Sequence, residues 1–300
     1  LEEASSEAKT NFNDKKILIE KYIPKARHIE VQIFSDNHGN VVHFFDRDCT
    51  LQRRQQKIIE EAPSPKISED TRNYLGNLAV NAVKSIDYQG AGTIEFIADI
   101  TNGLNKNKIY FMEMNTRIQV EHPVTEKITS TNLIEWQLHI ANGLKLPKSQ
   151  NEIYLNGCSV EARLYAEDIN KNFLPQSGYL HHLKFPKISD HPNCSIDTGN
   201  KKGDFISPYY DPMIAKIISH GKNRREAIDH LKKCLFDIEV AGVTTNLNLL
   251  KKLLKHNHFS EGNISTKFVE NSIDQFKDKN VEPQLAALTS LIIYKELIAS

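Results

Sequence analysis

Residues 112–121 alternate between apolar and polar side chains, with Thr116 as the exception. Because alternate side chains of a β-strand point to opposite faces, an extended segment here would gather its polar groups on one face. Pro123 cannot donate a backbone hydrogen bond to a sheet and is predicted to end this strand. The polar positions are Glu113, Asn115, Arg117, Gln119 and Glu121, and the apolar ones are Met112, Met114, Ile118 and Val120.

The same hydrophobic and polar patterning predicts a mixture of strands and helices elsewhere. The residues Asn37-His38-Gly39-Asn40 favour a hairpin turn between two strands. Ser68 is suited to begin a helix because its hydroxyl can accept from an unpaired backbone N–H, and Gly143 is suited to follow a helix end. Strands are predicted at 17–23, 28–36, 41–48, 93–100 and 159–166, and helices at 68–86, 131–143, 223–237 and 246–256.

A loop-like stretch at 145–158, which contains Pro147, predicts a domain boundary. We therefore expect an α+β protein with one part at residues 1–147 and a second at 158–275. Residues 276–282 are polar and suit a linker. Residues 283–299 have an apolar-rich helical pattern, so 276–300 is predicted to be a linker and the start of a following domain, although an ordinary packed helix would show the same pattern.

Charge and cysteine content exclude several classes of protein. The 38 basic residues balance the 38 acidic ones, so neither a nucleic-acid nor a membrane-surface partner is indicated. The local cluster Arg53, Arg54 and Lys57 is either a solvated basic patch or a group that handles anions. The four cysteines form no CxxC pair, which favours a reducing compartment over a disulfide framework. The sequence contains no run of eighteen apolar residues, so no membrane-spanning helix is predicted.

The polar residues at 113–121 have a chemistry of their own. Two carboxylates, two amides and a guanidinium on one face could hold a hard divalent cation beside an anionic substrate. The solvent face of an amphipathic strand has the same alternation, so the pattern alone leaves both interpretations open.

The order of several sequence blocks separates these alternatives. EMNTRIQVEHPVTE at 113–126 resembles the signature of the biotin carboxylase family, whose ATP-grasp enzymes carboxylate biotin with bicarbonate and ATP. The resemblance extends from about residue 10 to about residue 275 and implies the C-terminal part of an ATP-grasp domain followed by a biotin carboxylase C-terminal domain. Further matching blocks, in family order, are IEKYIPKARHIEVQIF at 19–34, RDCTLQRRQQKIIEEAPSP at 47–65, GAGTIEFI at 90–97, SVEARLYAED at 159–168, NFLPQSG at 172–178, YYDPMIAKI at 209–217 and AGVTTN at 241–246.

The resemblance assigns roles to individual residues. Glu95 and Glu113 correspond to the carboxylates that hold Mg²⁺ or Mn²⁺, with Asn115 assisting. Glu121 corresponds to the general base that deprotonates bicarbonate, and nearby Arg117 is expected to favour its ionised form. Arg163 corresponds to the arginine that stabilises the biotin enolate. The implied bicarbonate-binding residues are Lys57, Arg117, Gln119 and the backbone of Val120, and the implied ATP-binding residues are Glu20, Lys21, Ile23, His28, Gln52, Ile97 and Ile264. Plain core packing is an equally good account of Ile97 and Ile264, and Arg163 could instead form a salt bridge, for example to Asp211.

Two departures from the family pattern affect activity. Gln55 stands where the family has His or sometimes Asn, so a side chain that can become cationic is replaced by one that cannot. The chain begins at Leu1, and residues 1–11 resemble the tail of a helix. The family's N-terminal α/β domain and its glycine-rich lid have no counterpart here, since the GAG at 90–92 is too short. We therefore expect an N-terminally truncated polypeptide with little or no activity alone.

The partners and alternatives follow from the same resemblance. NLIEWQLHIANG, KNFLPQSG and HFSEGNISTKF look most like the α subunits of methylcrotonoyl- or propionyl-CoA carboxylases, which implies a biotin carboxyl carrier domain, a carboxyltransferase subunit and a homodimer or larger assembly. A bacterial cytoplasm or a mitochondrial matrix is the expected compartment. Two alternatives stay open: an inactive truncated fragment, or another bicarbonate-activating ATP-grasp ligase such as carbamoyl-phosphate synthetase.

Overall fold

The computed structural model of the protein describes residues 1–277 together with Leu291 and Tyr294. It shows a mixed α and β architecture, as predicted. The strands are β1 Ala26–Ser35, β2 Val41–Arg53, β3 Gln56–Ala62, β4 Gly90–Asp99, β5 Ile109–Asn115, β6 Cys158–Tyr165, β7 Glu167–Asp168, β8 Leu174–Pro175, β9 Gly178–Tyr179, β10 His182–Lys184, β11 Cys194–Thr198, β12 Phe205–Ile206, β13 Met213–Gly221 and β14 Glu239–Ala241. The α-helices are α1 Glu2–Phe12, α2 Glu69–Ser85, α3 His122–Thr129, α4 Leu133–Ala141, α5 Arg224–Phe236, α6 Leu247–Lys255, α7 Asn257–Ser260, α8 Phe268–Asn271 and α9 Ile273–Phe276.

One eight-stranded sheet organises the chain, in the order β11-β13-β6-β3-β2-β1-β4-β5. All of its neighbouring strands are antiparallel. The sheet continues across the predicted domain boundary, because β3 pairs with β6 through partners such as Ile59 with Ala162 and Glu60 with Glu161. Side chains from both predicted parts therefore meet on adjacent strands.

The central strands bury one apolar face and one polar face. On β1, Ile29, Val31 and Ile33 pack with Leu75 and Ala79 of α2. Helix α2 begins after Ser68, whose hydroxyl accepts from Thr71 N–H as predicted. Since side chains alternate along a strand, His28, Glu30 and Gln32 point to the opposite face of the sheet, and all three are buried. That face carries the candidate site.

Two strand predictions are wrong. Residues 17–23 form no strand, and Leu18 and Ile19 are exposed, because no neighbouring strand in the described structure pairs with this segment. The 111–121 strand stops at Asn115, and the chain then turns into α3. Pro123 lies in the first turn of that helix, where its missing N–H costs nothing, so it begins a helix where a strand end was predicted.

The remaining element predictions are confirmed to within a few residues. Strands β1, β2, β4 and β6 and helices α2, α4, α5 and α6 lie where the patterning predicts them, and Gly143 follows α4 with a positive φ of 77°. The linker and helix predicted beyond residue 277 lie outside the described residues, apart from Leu291 and Tyr294. No helix in the described part of the chain is both long and apolar enough to span a membrane.

Candidate active site

A cavity of about 830 Å³ opens on the polar face of the sheet. It collects almost every residue that the sequence indicated. Glu20 is exposed and does not line it. Ile264 is 2% exposed and packs in the apolar core, beside a second cavity. The sequence-predicted residues that do line the main cavity are Lys21, Ile23, His28, Gln52, Lys57, Glu95, Ile97, Glu113, Asn115, Arg117, Gln119, Val120, Glu121 and Arg163.

Sheet register aligns three acidic side chains across neighbouring strands. Glu30 on β1 is the partner of Glu95 on β4, and Glu95 is the partner of Glu113 on β5. Residues opposite one another on antiparallel strands point to the same face, so the three carboxylates form a row. Unlike the other two, Glu113 is exposed.

Lys57 joins several of these carboxylates. Its Nζ lies 2.7 Å from Glu30 Oε2, 3.1 Å from Glu95 Oε1 and 2.5 Å from Glu121 Oε1. Burial alone would lower the pKa of Lys57, but the acidic groups around it outweigh burial and raise that pKa well above its usual value. Lys57 is therefore a permanent cation in contact with the candidate base.

Glu121 lies at the start of α3 and is 2% exposed. Its second oxygen, Oε2, accepts from Arg163 Nη2 at 2.9 Å. The sequence predicted that Arg117 would favour ionised Glu121. The exposed Arg117 instead donates to Ile118 O and Asn115 Oδ1, so Lys57 and Arg163 are the cations that contact Glu121.

The salt-bridge alternative for Arg163 named the wrong partner. The guanidinium contacts Glu121 and also Glu60, whose Oε1 lies 2.5 Å from Nη2, and it makes no ion pair with Asp211 among the described residues. Arg163 Nε is buried without a hydrogen-bond acceptor in the described structure. One donor of this fixed cation is therefore free for an additional acceptor.

Arg47 is a buried hub that the sequence did not reveal. Its Nε donates to Glu30 at 2.6 Å, and its other nitrogens donate to Gln32, Thr93, Gln119 and Thr125. Burial lowers its pKa, but Glu30 and Glu121 outweigh burial and keep the pKa raised. The available signal was the alternation of His28, Glu30 and Gln32 with apolar residues in 28–33, which implies a buried polar face that needs a cation.

The two carboxylates of Glu95 and Glu113 and the amide of Asn115 form a set that suits a divalent cation. Gln119 Nε2 and Asn115 Nδ2 donate to Glu95 Oε1 at 2.7 and 3.0 Å, and His28 Nε2 lies 2.9 Å from Glu95 Oε2. Burial opposes ionisation of Glu95, but hydrogen bonding and the charge of Lys57 hold its pKa well below the usual range. Glu113 has no ion-pair partner among the described residues, so this set fits a hard cation such as Mg²⁺ or Mn²⁺.

The basic cluster predicted at 53–57 does not form one patch. Arg53 is buried and paired with Glu167, exposed Arg54 donates to a backbone carbonyl, and Lys57 belongs to the carboxylate group. Arg53 and Arg54 therefore have other partners and do not line the main cavity. The residues of this segment that line the cavity, besides Lys57, are Gln52, Gln55 and Gln56.

A second pair of carboxyl groups was also missed. Glu60 on β3 and Glu161 on β6 are opposite one another, and both are fully buried. None of their four oxygens accepts a well-directed hydrogen bond in the described structure, although Glu60 touches Arg163 as an ion pair. The available signal was the presence of Glu60 and Glu161 inside the strand-like runs 56–62 and 158–165.

Comparison with known proteins identifies the family of this chain. Residues 1–149 match the model described as carbamoyl-phosphate synthase L chain, ATP binding domain, and residues 161–271 match that of the biotin carboxylase C-terminal domain. The first defines an ATP-binding class of fold. With the second, the chain belongs to the biotin carboxylase family.

The similar proteins include both subunits and isolated domains. The chain is 51% identical to the mitochondrial methylcrotonoyl-CoA carboxylase subunit alpha of Arabidopsis thaliana, over 92% of this chain and 37% of that one. It is 44% identical to biotin carboxylase 1 of Bacillus subtilis, over 88% of this chain and 57% of the relative. A crystal structure of the biotin carboxylase domain dimer of Hydrogenobacter thermophilus 2-oxoglutarate carboxylase, with MgADP, ADP and bicarbonate, superimposes with a TM-score of 0.87 at 42% identity, covering 93% of this chain and 60% of that chain. This chain thus spans little more than a third of the α subunits it resembles.

Proposed function

We propose that this chain supplies the bicarbonate-activating half of a biotin carboxylase site. The observation that carries the proposal is the position of Glu121, a buried carboxylate that faces the cavity between Lys57 and Arg163. A general base must reach the proton that it removes and must be kept ionised before it does so. Lys57 contacts one carboxylate oxygen of Glu121 and Arg163 contacts the other, which fixes the direction in which this carboxylate faces.

The same residues account for a bicarbonate site. The Val120 N–H has no acceptor in the described structure, while its carbonyl accepts from Lys216 Nζ at 2.9 Å. Exposed Arg117 offers a guanidinium whose planar fork matches a planar oxyanion. Glu121 then takes the bicarbonate proton, and the resulting oxyanion attacks the γ-phosphate of ATP to give carboxyphosphate and ADP.

Arg163 and the proposed metal ligands are assigned the stabilisation of negative charge during the reaction. Arg163 is rigidly paired yet keeps Nε free, so it can face the negative charge that develops on the group that accepts CO₂. Glu95 and Glu113, with Asn115, would hold Mg²⁺ or Mn²⁺, which neutralises phosphate charge when bound. Lys21, Ile23, His28, Gln52 and Ile97 form the part of the cavity assigned to ATP.

The acceptor and assembly are proposals from the relatives. We propose a biotin carried on a separate carrier domain and a carboxyltransferase partner, because the similar α subunits belong to acyl-CoA carboxylases. Dimerisation is proposed because the structural neighbour is a domain dimer. We propose a mitochondrial matrix or bacterial cytoplasmic location, which the mitochondrial plant relative and the bacterial relative support.

ATP cleavage with Mg²⁺, at independently varied bicarbonate and free biotin, tests the proposal. The chain is assayed alone and after mixing with a separately expressed N-terminal lobe, since none of the described residues that line the cavity is a glycine of a phosphate-cradling loop. We expect cleavage in the mixture that depends on both co-substrates. Cleavage that needs bicarbonate but not biotin would favour another ATP-grasp ligase.

Matched variants sharpen this result. Glu121→Gln removes the base at nearly constant shape and is expected to abolish bicarbonate-dependent cleavage. Glu135→Gln changes an exposed glutamate of α4 and is expected to leave the rate unchanged. Full activity in Glu121→Gln would remove Glu121 as the base.

A further inference from the structure

The buried pair Glu60 and Glu161 lies directly behind Arg163, and the proposed chemistry does not use it. The two residues are cross-strand partners on β3 and β6, and residues directly opposite in an antiparallel pair have Cβ atoms about 4.5–5.5 Å apart. Carboxyl groups at that spacing can reach each other. Both side chains are fully buried.

Full ionisation of both groups is energetically unfavourable. A buried carboxylate without hydrogen bonds loses its hydration with nothing to replace it, and Glu161 has neither a hydrogen bond nor an ion pair in the described structure. Two like charges at this distance also repel, as in carboxyl dyads that hold one proton between them. Glu60 differs from Glu161 because Arg163 touches it.

The other charged groups around the pair do not remove this asymmetry. Lys57 and Arg163 act on Glu60, while Lys216 and Arg163 act on Glu161; Glu121 repels both. Lys216 is held by the Val120 carbonyl and by Asp197. Burial raises the pKa of Glu60 to about 7, and burial together with Glu60 raises the pKa of Glu161 well above its usual value.

We propose that Glu60 and Glu161 share a single proton at neutral pH, carried mainly by Glu161, and that the resulting Glu60 carboxylate anchors Arg163 beside Glu121. Glu60 is thus a positioning residue, and Glu161 sets the pH at which the anchor is present. The proton moves between two carboxyl oxygens, so no further reactant is required. The role of the anchor in turnover rests on the proposed function, whereas the shared proton does not.

Infrared spectroscopy of the unaltered chain tests the shared proton without an activity assay. With ¹³C-labelled glutamate, a protonated glutamic acid band is expected at neutral pH in the folded protein, and it should disappear in Glu161→Gln. In Glu60→Gln the like charge is gone and an amide donor is gained, so Glu161 should release its proton at lower pH. Absence of the band in the unaltered chain, or an unchanged band in both variants, would overturn the proposal.

The pH profile of ATP cleavage by the reconstituted mixture tests the anchor. Glu161→Gln should move the acid limb to higher pH, because the Glu60 carboxylate loses the carboxylic O–H donor of Glu161 and gains only the weaker amide donor. Glu60→Gln should lower kcat about tenfold or more with little change in the KM for ATP, and Glu60→Asp should restore part of kcat; Glu135→Gln should change neither. An unshifted limb in Glu161→Gln, or a loss in Glu60→Gln confined to KM, would refute the anchor. If the mixture is inactive while the infrared band is present, the proposed function fails and the shared proton stands.

Discussion

Replacement of Arg47 by methionine removes the cation at the centre of the site and should destabilise the fold strongly. Arg47 is fully buried and donates to groups on β1, β4, α3 and the loop before α3. Methionine retains much of the volume of arginine, so the change isolates the loss of charge and hydrogen bonds. Glu30 is the partner most affected, because its buried carboxylate loses the cation 2.6 Å away.

The size of the effect follows from the contacts of Glu30. Removing one member of a buried ion pair typically costs about 3–5 kcal/mol. Glu30 would still contact Lys57 at 2.7 Å, so we expect the lower end, about 3 kcal/mol. For a chain of this size each kcal/mol corresponds to a Tm change of about 2–4 °C. Tm should therefore fall by roughly 6–12 °C.

Urea and thermal unfolding followed by circular dichroism measure this loss. Arg225→Met is the matched control, because Arg225 has a side chain that is 93% exposed and is 4.0 Å from Asp229; its effect should stay below about 0.5 kcal/mol. Adding Glu30→Gln to Arg47→Met removes the uncompensated charge and should recover part of the stability. A loss under about 1 kcal/mol, or no recovery in the double variant, would refute the view that Arg47 compensates Glu30.

Three further predictions concern His43, Gly76 and Glu113. Burial lowers the pKa of His43 from 6.5 to about 4, so its contribution to stability is present above pH 6.5 and is lost as pH falls towards 4. Chemical denaturation across that range should show that the unfolding free energy of His43→Gln depends less on pH. An unchanged pH dependence in this variant would show that His43 is not the cause. A Cβ added at Gly76 would lie 2.5 Å from His43 Nε2, so Gly76→Ala should cost about 1–3 kcal/mol in urea unfolding, with rescue by His43→Ser and with exposed Asn77→Ala as control. Glu113→Ala should weaken Mn²⁺ binding measured by calorimetry without lowering Tm, because Glu113 is exposed and makes no ion pair in the described structure; equal Mn²⁺ affinity would exclude it as a ligand.

The periodicity of hydrophobic residues predicted most helices and strands, because the buried positions repeat with the same period. Helix α2 has its apolar residues on the face that packs against β1, and Ser68 caps it as expected. The segment 116–121 shows the limit of this reasoning. Its polar groups reach the cavity through a turn before α3, so the strand pattern selected residues that line the cavity but predicted the wrong backbone conformation.

The site could be predicted only as far as a motif named its members. The resemblance assigned roles to Glu95, Glu113 and Glu121, whereas Arg47, Glu60 and Glu161 lie in matching blocks without an assigned role and act through partners on other strands. Their pairing depends on sheet register, which a single sequence does not specify. The roles assigned to Glu20 and Ile264 lacked support for the same reason, since chain position does not determine which cavity a side chain faces.

The pairing of β3 with β6 has a consequence for how this protein can be divided. A cut at 147–158 looks like a modular join in the sequence, yet it would expose two long unpaired sheet edges, which are prone to intermolecular pairing and aggregation. It would also separate Glu60 and Glu121 from Arg163. Recombination that exchanges the second part between relatives must therefore preserve the register Glu60–Glu161, so these two parts are constrained to change together as a single inherited unit.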